Sequence, residues 1–245
     1  MSASNRNGNL LLGALSGGDF ARLRPYLSEV RLLQKAVLQE AGLPIRHAYF
    51  PIEGVISILA VLDGGEAIEI AAIGREGAIG ARLGFQPRVS FARASVQLPG
   101  AALKIEIERF QEIALKSPAI THVSTCANEV MAAYLQQSAA CNALHGVESR
   151  LARWLLQARD RFGSDDLPLS DEFLAQMLAT RRSTVSRVAH ALQAADAITY
   201  TRAKVTITDR EALEAIACDC YKAVRRSVER IVKSAKTSNE TSRFA

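Results

Sequence analysis

Apolar positions along this chain recur with two different periods, and the change from one to the other divides it. A polar, Gly-rich start predicts short helices around Asn9–Leu15 and Asp19–Leu27. From Val30 the period is two with glycine punctuation, which predicts strands at Val30–Leu33, Ala36–Leu38, His47–Phe50, Val55–Leu62 and Ala67–Ile73. The turns between them fall at Gly42–Pro44, Pro51–Gly54, Asp63–Gly65 and Gly74–Gly77. Asp63-Gly64 between two apolar runs is a strong hairpin signal. A short helix over 78–85 and further strands at Arg93–Leu98 and Ala102–Ile105 complete the region. Several short strands at close spacing predict an antiparallel β-roll or barrel.

Beyond Glu106 the period becomes 3.6. One helix is predicted over Ile107–Lys116, ending near Pro118, and a long one over Ala119–Leu144. The long helix spans about 39 Å at 1.5 Å per residue. Its stripe of Val123, Cys126, Ala127, Val130, Ala133, Tyr134, Gln137, Cys141 and Leu144 is near-heptad and rich in small residues. A helix of that length on a small roll is expected to pair with a copy of itself in a two-fold dimer. His145-Gly146 then reads as a hinge, and Val147–Phe162 turns Leu151, Trp154, Leu155 and Ala158 inward. The expected division is a roll with flanking helices (1–118), a dimerisation helix and hinge (119–145), a second domain (146–221) and a basic tail (222–245). Val224, Val228, Ile231 and Val232 give that tail a partial stripe, read as a solvated helix end.

Within the second domain, Ser170 is a good helix N-cap, and Phe173, Leu174, Met177 and Leu178 come after it at helical spacing. Ala179 and Thr180 break the run, with Thr180 expected to cap the next helix. That second helix, over about 181–194, puts Val185, Val188, Ala189 and Leu192 on one face. Ser183, Ser186, Arg187 and His190 lie on the other, with Arg182 at its edge. Two short strands, Ile198–Thr201 and Lys204–Ile207, flank an Arg202-Ala203 turn, and Asp209 begins a last helix running to about Cys220. Helix, helix, hairpin is the order of a winged helix–turn–helix, whose second helix lays its N-terminal residues in the major groove. Arg202 and Lys204 at the wing tip are expected to meet phosphate, which positions a protein without reading sequence. The fold class is therefore α+β.

Charge supports the same half. Residues 146–245 hold 17 Lys+Arg against 13 Asp+Glu, and residues 1–145 hold 13 against 12, in a chain of 245 with net charge +5. A basic excess on one domain is the footprint of a nucleic-acid binder. No apolar run approaches the 18 or so residues of a membrane span, and the N-terminus lacks a signal-peptide pattern, so a cytoplasmic protein with no membrane partner is expected. The cysteines are Cys126, Cys141, Cys218 and Cys220. Cys126 and Cys141 stand roughly 22 Å apart along one helix, too far to share a metal, and Cys218-Asp-Cys220 lacks a second ligand pair of the usual zinc spacing. Free thiols in a reducing compartment are expected, with a redox role for Cys218 and Cys220 as the alternative and no metal site assigned.

The segments NALHGVESRLARWLL, LSDEFLAQMLATRRSTVSRVAHALQAADAI and DREALEAIACDCY, within Asn142–Tyr221, resemble the Crp/Fnr superfamily of bacterial transcription regulators. The broader match of roll, long helix, hinge and winged helix covers about Val30–Tyr221. The resemblance implies a cyclic-nucleotide-binding-like roll, a homodimer on double-stranded DNA and RNA polymerase as a further partner. It implies that Arg187 reads bases, that Arg182 meets base or phosphate, and that Thr184 and Ser186 touch phosphate or base edges, with Arg181 alongside. An Arg fork on guanine discriminates by about 1–3 kcal/mol. Ser183 stands where many members have glutamate, so the family's usual half-site is not expected at that position.

The candidate effector residues are Ile79, Gly80, Ala81, Arg82, Ser90 and Phe91. Cyclic-nucleotide-binding members place a glutamate just after a glycine and an Arg-Ser pair later. Here Ala81-Arg82 comes after Gly80, Ser90-Phe91 holds the later position, and Arg82, Arg88 and Arg93 are out of register. The usual cAMP binding is not expected, and no cofactor is assigned. The N-terminal cysteine cluster of iron–sulfur members is missing, and His47, His122 and His145 read as ordinary histidines rather than haem ligands. The alternative function is a ligand-binding or protein-interaction module without sequence-specific DNA binding. No P-loop, GxSxG or HExxH motif supports an enzyme, and no catalytic residue is assigned.

Overall fold

The computed structural model describes residues 8–83, 89–201 and 203–241. Two short helices open it, α1 (Leu10–Gly13) and α2 (Gly17–Leu23), capped by the side chains of Asn9 and Ser16. Five strands form one antiparallel sheet: β1 (Ser28–Leu32), β2 (Val37–Gln39), β3 (His47–Val61), β4 (Ala67–Ile73) and β5 (Arg93–Glu106). The order is β1-β5-β3-β4, with β2 also on β5. Helices α3 (Ile107–Ala114) and α4 (Pro118–Leu144) come next, the second 27 residues long. After His145-Gly146 come α5 (Val147–Phe162), β6 (Asp166–Leu167), α6 (Asp171–Met177), α7 (Arg182–Ala194), β7 (Ile198–Thr201), β8 (Lys204–Ile207), α8 (Arg210–Ile216) and α9 (Cys220–Thr241). The second sheet runs β6-β8-β7, and β6 is a strand that the sequence pattern does not reveal. Among the described residues no helix is long and apolar enough to cross a membrane.

Three expectations about the roll change. His47–Phe50 and Val55–Leu62 are one strand, β3, rather than two joined by a Pro51–Gly54 turn. The pairing with β5 shifts register between Pro51 and Ile56, so the turn residues make a bulge. Gly54 sits at φ +83°, where a Cβ would lie 2.6 Å from the Leu98 carbonyl oxygen, and only glycine meets both demands. Arg93–Leu98 and Ala102–Ile105 likewise merge into β5. Residues 78–83 are not helical: Ile79 bridges Tyr49 instead, and 84–88, with Arg88, lie outside the described residues.

Successive residues of β3 from Val55 to Leu59 are buried because the sheet is covered on both faces. Ile56 and Ile58 point into the roll core, which α1, α3 and α4 close. Val55 and Leu59, with Ala72 and Leu98, join the core of the C-terminal domain against Leu151, Trp154, Leu155 and Met177.

The long stripe on α4 also behaves differently from expectation. Val123, Cys126, Ala127, Val130, Tyr134 and Cys141 are buried within the single chain. The cover comes in part from the region expected to be a solvated basic tail. Its helix, α9, buries Val224, Val228, Val232 and Ala235 in the core that holds the α4 stripe. The cations Lys222, Arg226 and Arg230 stay on its exposed side. Most of the stripe therefore leaves water without a second chain, while Ala133 and Gln137 stay half-buried and Leu144 is 78% exposed.

Candidate nucleic-acid interface

Helices α6 and α7 are the predicted pair, and their join is tight. Ser170 Oγ accepts from the Phe173 amide and caps α6. Ala179 takes a positive φ of +50°, and the Thr180 amide donates to Ala175 O across the turn at 3.0 Å. Thr180 does not cap α7. Arg181 occupies the cap position, without a side-chain hydrogen bond, so the recognition helix starts one residue later than the sequence suggests. Val185, Val188, Ala189 and Leu192 are buried as expected. Arg181, Arg182, Ser183, Arg187 and His190 are exposed, and Thr184 and Ser186 are half-buried.

The cations on this face are not equivalent. Arg182 Nη2 donates to Glu172 Oε1 of α6, an acid that a single-helix projection of α7 cannot show. Among the described residues Arg187 has no ion-pair partner. His190 packs edge-on against Tyr200 of the wing, ring centroids 5.4 Å apart, and the Tyr200 hydroxyl donates to Asp171. In the wing, Lys204 Nζ lies 2.9 Å from Asp166 Oδ1 of β6. Lys204 and the Thr206 hydroxyl together hold the Asp166 carboxyl below the usual carboxylate range. Arg202 lies outside the described residues. Arg181, Arg182 and Thr184 also line a cleft of about 1420 Å³, together with Lys35, Glu66 and Arg93 of the roll. Arg187 is not among its walls.

The domain is docked on the roll through buried polar groups. Glu69 of β4 accepts from Ser57 Oγ (2.6 Å), Gln97 Nε2 (3.0 Å) and Trp154 Nε1 (2.7 Å). Burial raises its carboxyl above the usual range, against the pull of the Ser57 and Trp154 hydrogen bonds. Arg161 Nε pairs with Glu76 at 2.8 Å and stacks on Tyr134 of α4 at 4.7 Å.

The candidate effector residues scatter between core and surface. Ile79 and Ala81 are buried, and the Ala81 carbonyl accepts from Ser124 Oγ of α4 at 2.5 Å. A Cβ on Gly80 (φ +73°) would lie 2.5 Å from the His47 carbonyl oxygen. Ser90 Oγ donates to Ala92 O, whereas Phe91 is exposed beneath the Arg82 guanidinium, 5.1 Å from it.

Three of the four cysteines behave unlike isolated thiols. Cys141, Cys218 and Cys220 form a small buried cluster, and His145 joins it with all four ligand atoms within 4.8 Å of one another. Spacing along the chain could not reveal this, because Cys141 and Cys218 are 77 residues apart and meet only in the fold. Cys126 lies elsewhere on α4, beside His122 at 3.6 Å.

Residues 149–216 match the family model of the Crp-like helix–turn–helix domain. No curated relative matches the chain at the sequence level. Among solved structures, a protein described as a Crp/Fnr-family transcriptional regulator from Eubacterium rectale superposes with TM-score 0.66 at 15% identity, over 86% of this chain and 98% of that one. FixK2 from Bradyrhizobium japonicum gives 0.66 at 14% identity, over 78% and 98%. The c-di-GMP-responsive global regulator CLP from Xanthomonas campestris gives 0.63 at 18%, over 79% and 100%. The fold of all three is the one described above.

Proposed function

We propose, from the premise that a Crp-like helix–turn–helix domain on this fold makes the chain a Crp/Fnr-type DNA-binding transcription regulator, that it reads a near-palindromic operator as a homodimer through α7. The observation that carries the reading is the exposed N-terminal face of α7, with Arg187 held by no acid among the described residues. Arg187 reads a base edge. Ser183, Thr184 and Ser186 flank it at base edges or phosphate, and Arg181, Arg182 and Lys204 neutralise phosphate once DNA displaces Glu172 and Asp166. The dimer brings two such faces about 34 Å apart, one helical turn of DNA. Support for it comes from the outer side of α4, where Thr125, Ala132, Ala139 and Ala143 remain exposed in the single chain. Two helices approach closely over residues of that size.

The roll senses something other than cAMP bound in the usual way. No acid comes directly after Gly80, and the backbone there is engaged by Ser124 and Tyr49. The protein acts in the cytoplasm, with RNA polymerase as a further partner.

The test is selection of operators from random duplex DNA, then anisotropy titration. Arg187→Ala is expected to lose about 1–3 kcal/mol of base discrimination, roughly a 5- to 150-fold loss on the selected operator, with non-specific binding retained. Affinity falls steeply with salt. Unchanged discrimination by the variant removes the assignment, and selection that enriches no motif removes the operator reading as a whole.

A further inference from the structure

The last turn of α4 and the α8–α9 connection meet in a pocket of soft ligands. His145 caps α4 in an extended conformation, and its amide donates to the Cys141 carbonyl at 3.1 Å, which keeps the two at the same end of the helix. Cys218 lies in the short connection after α8, and Cys220 begins α9. The Cys141 and Cys218 sulfurs are 3.5 Å apart, and Cys220 Sγ is 3.4 Å from His145 Nδ1. We propose that Cys141, His145, Cys218 and Cys220 form a mononuclear zinc site that fastens the hinge to the last two helices.

Size and chemistry both support one thiophilic ion. Zn–S bonds of about 2.3 Å and Zn–N bonds of about 2.0–2.1 Å make a tetrahedron with edges of roughly 3.8 Å between sulfurs and 3.6 Å between sulfur and nitrogen. The Cys141–Cys218 and Cys220–His145 separations, 3.5 and 3.4 Å, lie within a few tenths of an ångström of those edges, and all four ligand atoms fall within 4.8 Å of one another, so an ion draws the set in by an ångström or less. An iron–sulfur cluster spreads its thiolates over different irons, whereas these four ligand atoms all fall within 4.8 Å. Three cysteines and one histidine form a closed structural zinc set, and thiolate with imidazole selects against hard cations.

The surroundings supply what such a site needs beyond its ligands. With Nδ1 of His145 on the metal, Nε2 faces Asp219 Oδ1 at 3.6 Å, the carboxylate–histidine arrangement that orients a ligand ring. Zinc with three thiolates and a neutral imidazole carries a net charge of −1. The buried guanidiniums of Arg150 and Arg153 act on the charge of Cys141, and their Nε atoms have no hydrogen-bond partner among the described residues. Binding forms three Zn–S bonds and one Zn–N bond, and the three thiol protons pass to solvent. Metal binding is measured without DNA, so this inference stands or falls apart from the operator reading.

The experiment uses the full chain, produced without a polyhistidine tag and purified anaerobically with reductant. Elemental analysis is expected to find one zinc per chain. After chelation, Co²⁺ is expected to bind at one equivalent with the visible bands of a tetrahedral thiolate site and a thiolate-to-cobalt charge-transfer band. Cys141→Ser and Cys218→Ser lose the stoichiometric metal and that spectrum, and Cys126→Ser keeps both. Should either site variant fail to fold, the cobalt titration of the wild-type chain decides alone. The proposal is overturned if the wild-type chain binds no stoichiometric zinc or cobalt, if Cys218→Ser keeps the wild-type spectrum, or if Cys141 and Cys218 are found joined in a disulfide with no metal retained.

Discussion

The helix–turn–helix domain is held to the rest of the chain at two places, and the two use opposite chemistry. The front seam, against β3, β4 and β5, is built on carboxylates. Glu69 gathers donors from three different elements, and Glu76 holds Arg161 over Tyr134. Both carboxylates there meet donors that the chain itself supplies, as buried polar groups require. The rear joint, at the hinge, is built on thiols and an imidazole. A thiol is a weak donor and a weak acceptor, so packing three of them around a histidine satisfies little by itself. The front seam is complete as folded, and on our proposal the rear joint is complete only with an ion. The domain's orientation thus has one fixed support and one that depends on what the cell supplies.

The largest effect tests the fixed support. Arg161 and Glu76 have side chains only 6% and 9% exposed. Arg161→Ala leaves Glu76 as a buried, uncompensated charge, which costs about 3–5 kcal/mol. Urea unfolding at neutral pH measures it, and metal content at the rear joint should not change. A loss under about 1 kcal/mol, of the size seen for surface pairs, would show that water reaches the seam and that the two joints are less different than described.

A smaller effect, tunable by pH, belongs to Glu69. Its carboxyl is raised above its ordinary value of 4.5, chiefly by burial. In the window between 4.5 and that raised value, the folded chain holds a proton that the unfolded chain has released. Stability therefore falls as pH rises through the window. Below 4.5 both states are protonated and the loss disappears. Glu69→Gln cannot ionise, so its melting temperature should follow a flatter profile. The wild-type chain should fare best relative to the variant at about pH 4.5 and lose ground towards neutral pH. Parallel profiles from about pH 4.5 to 8 would remove Glu69 as a titrating part of the seam.

How much of this was legible before folding depends on how local the signal is. The buried face of α7, from Val185 to Leu192, comes from a 3.6-residue period and needs nothing else. The Ser170 cap and the wing strands β7 and β8 are equally local. Local signals misled where a tertiary contact overrode them. Pro51 and Gly54 have turn chemistry, yet here they make the bulge that lets β3 cross β5, because a Cβ on Gly100 would lie 2.4 Å from the Glu53 backbone. Thr180 has a capping side chain but sits one residue too early. The α4 stripe looked too long for one chain because the α9 cover was read as solvated. The exposed face of α7 was legible as a set of residues, while the engagement of Arg182 by Glu172 was not. The thiol cluster was invisible, since Cys141 and Cys218 come from segments that the sequence separates by 77 residues.

The smallest effect compares sulfur with sulfur. Met177 Sδ, in the front seam, lies 3.6 Å from Ser57 Oγ and 3.5 Å from Gln97 Nε2. Both donors already reach Glu69 Oε2, at 2.6 and 3.0 Å, so the thioether is a supplementary acceptor. Met177→Leu keeps the volume and leaves Ser57 and Gln97 each with the bond to Glu69, losing only a weak sulfur acceptor, and it should cost less than about 1.5 kcal/mol by chemical denaturation. At the rear joint a swap that also changes little volume, Cys218→Ser, should abolish metal retention, because there the sulfur is a ligand. If Met177→Leu instead costs as much as Arg161→Ala, the thioether belongs to the seam's polar framework, and sulfur chemistry supports the domain on both sides.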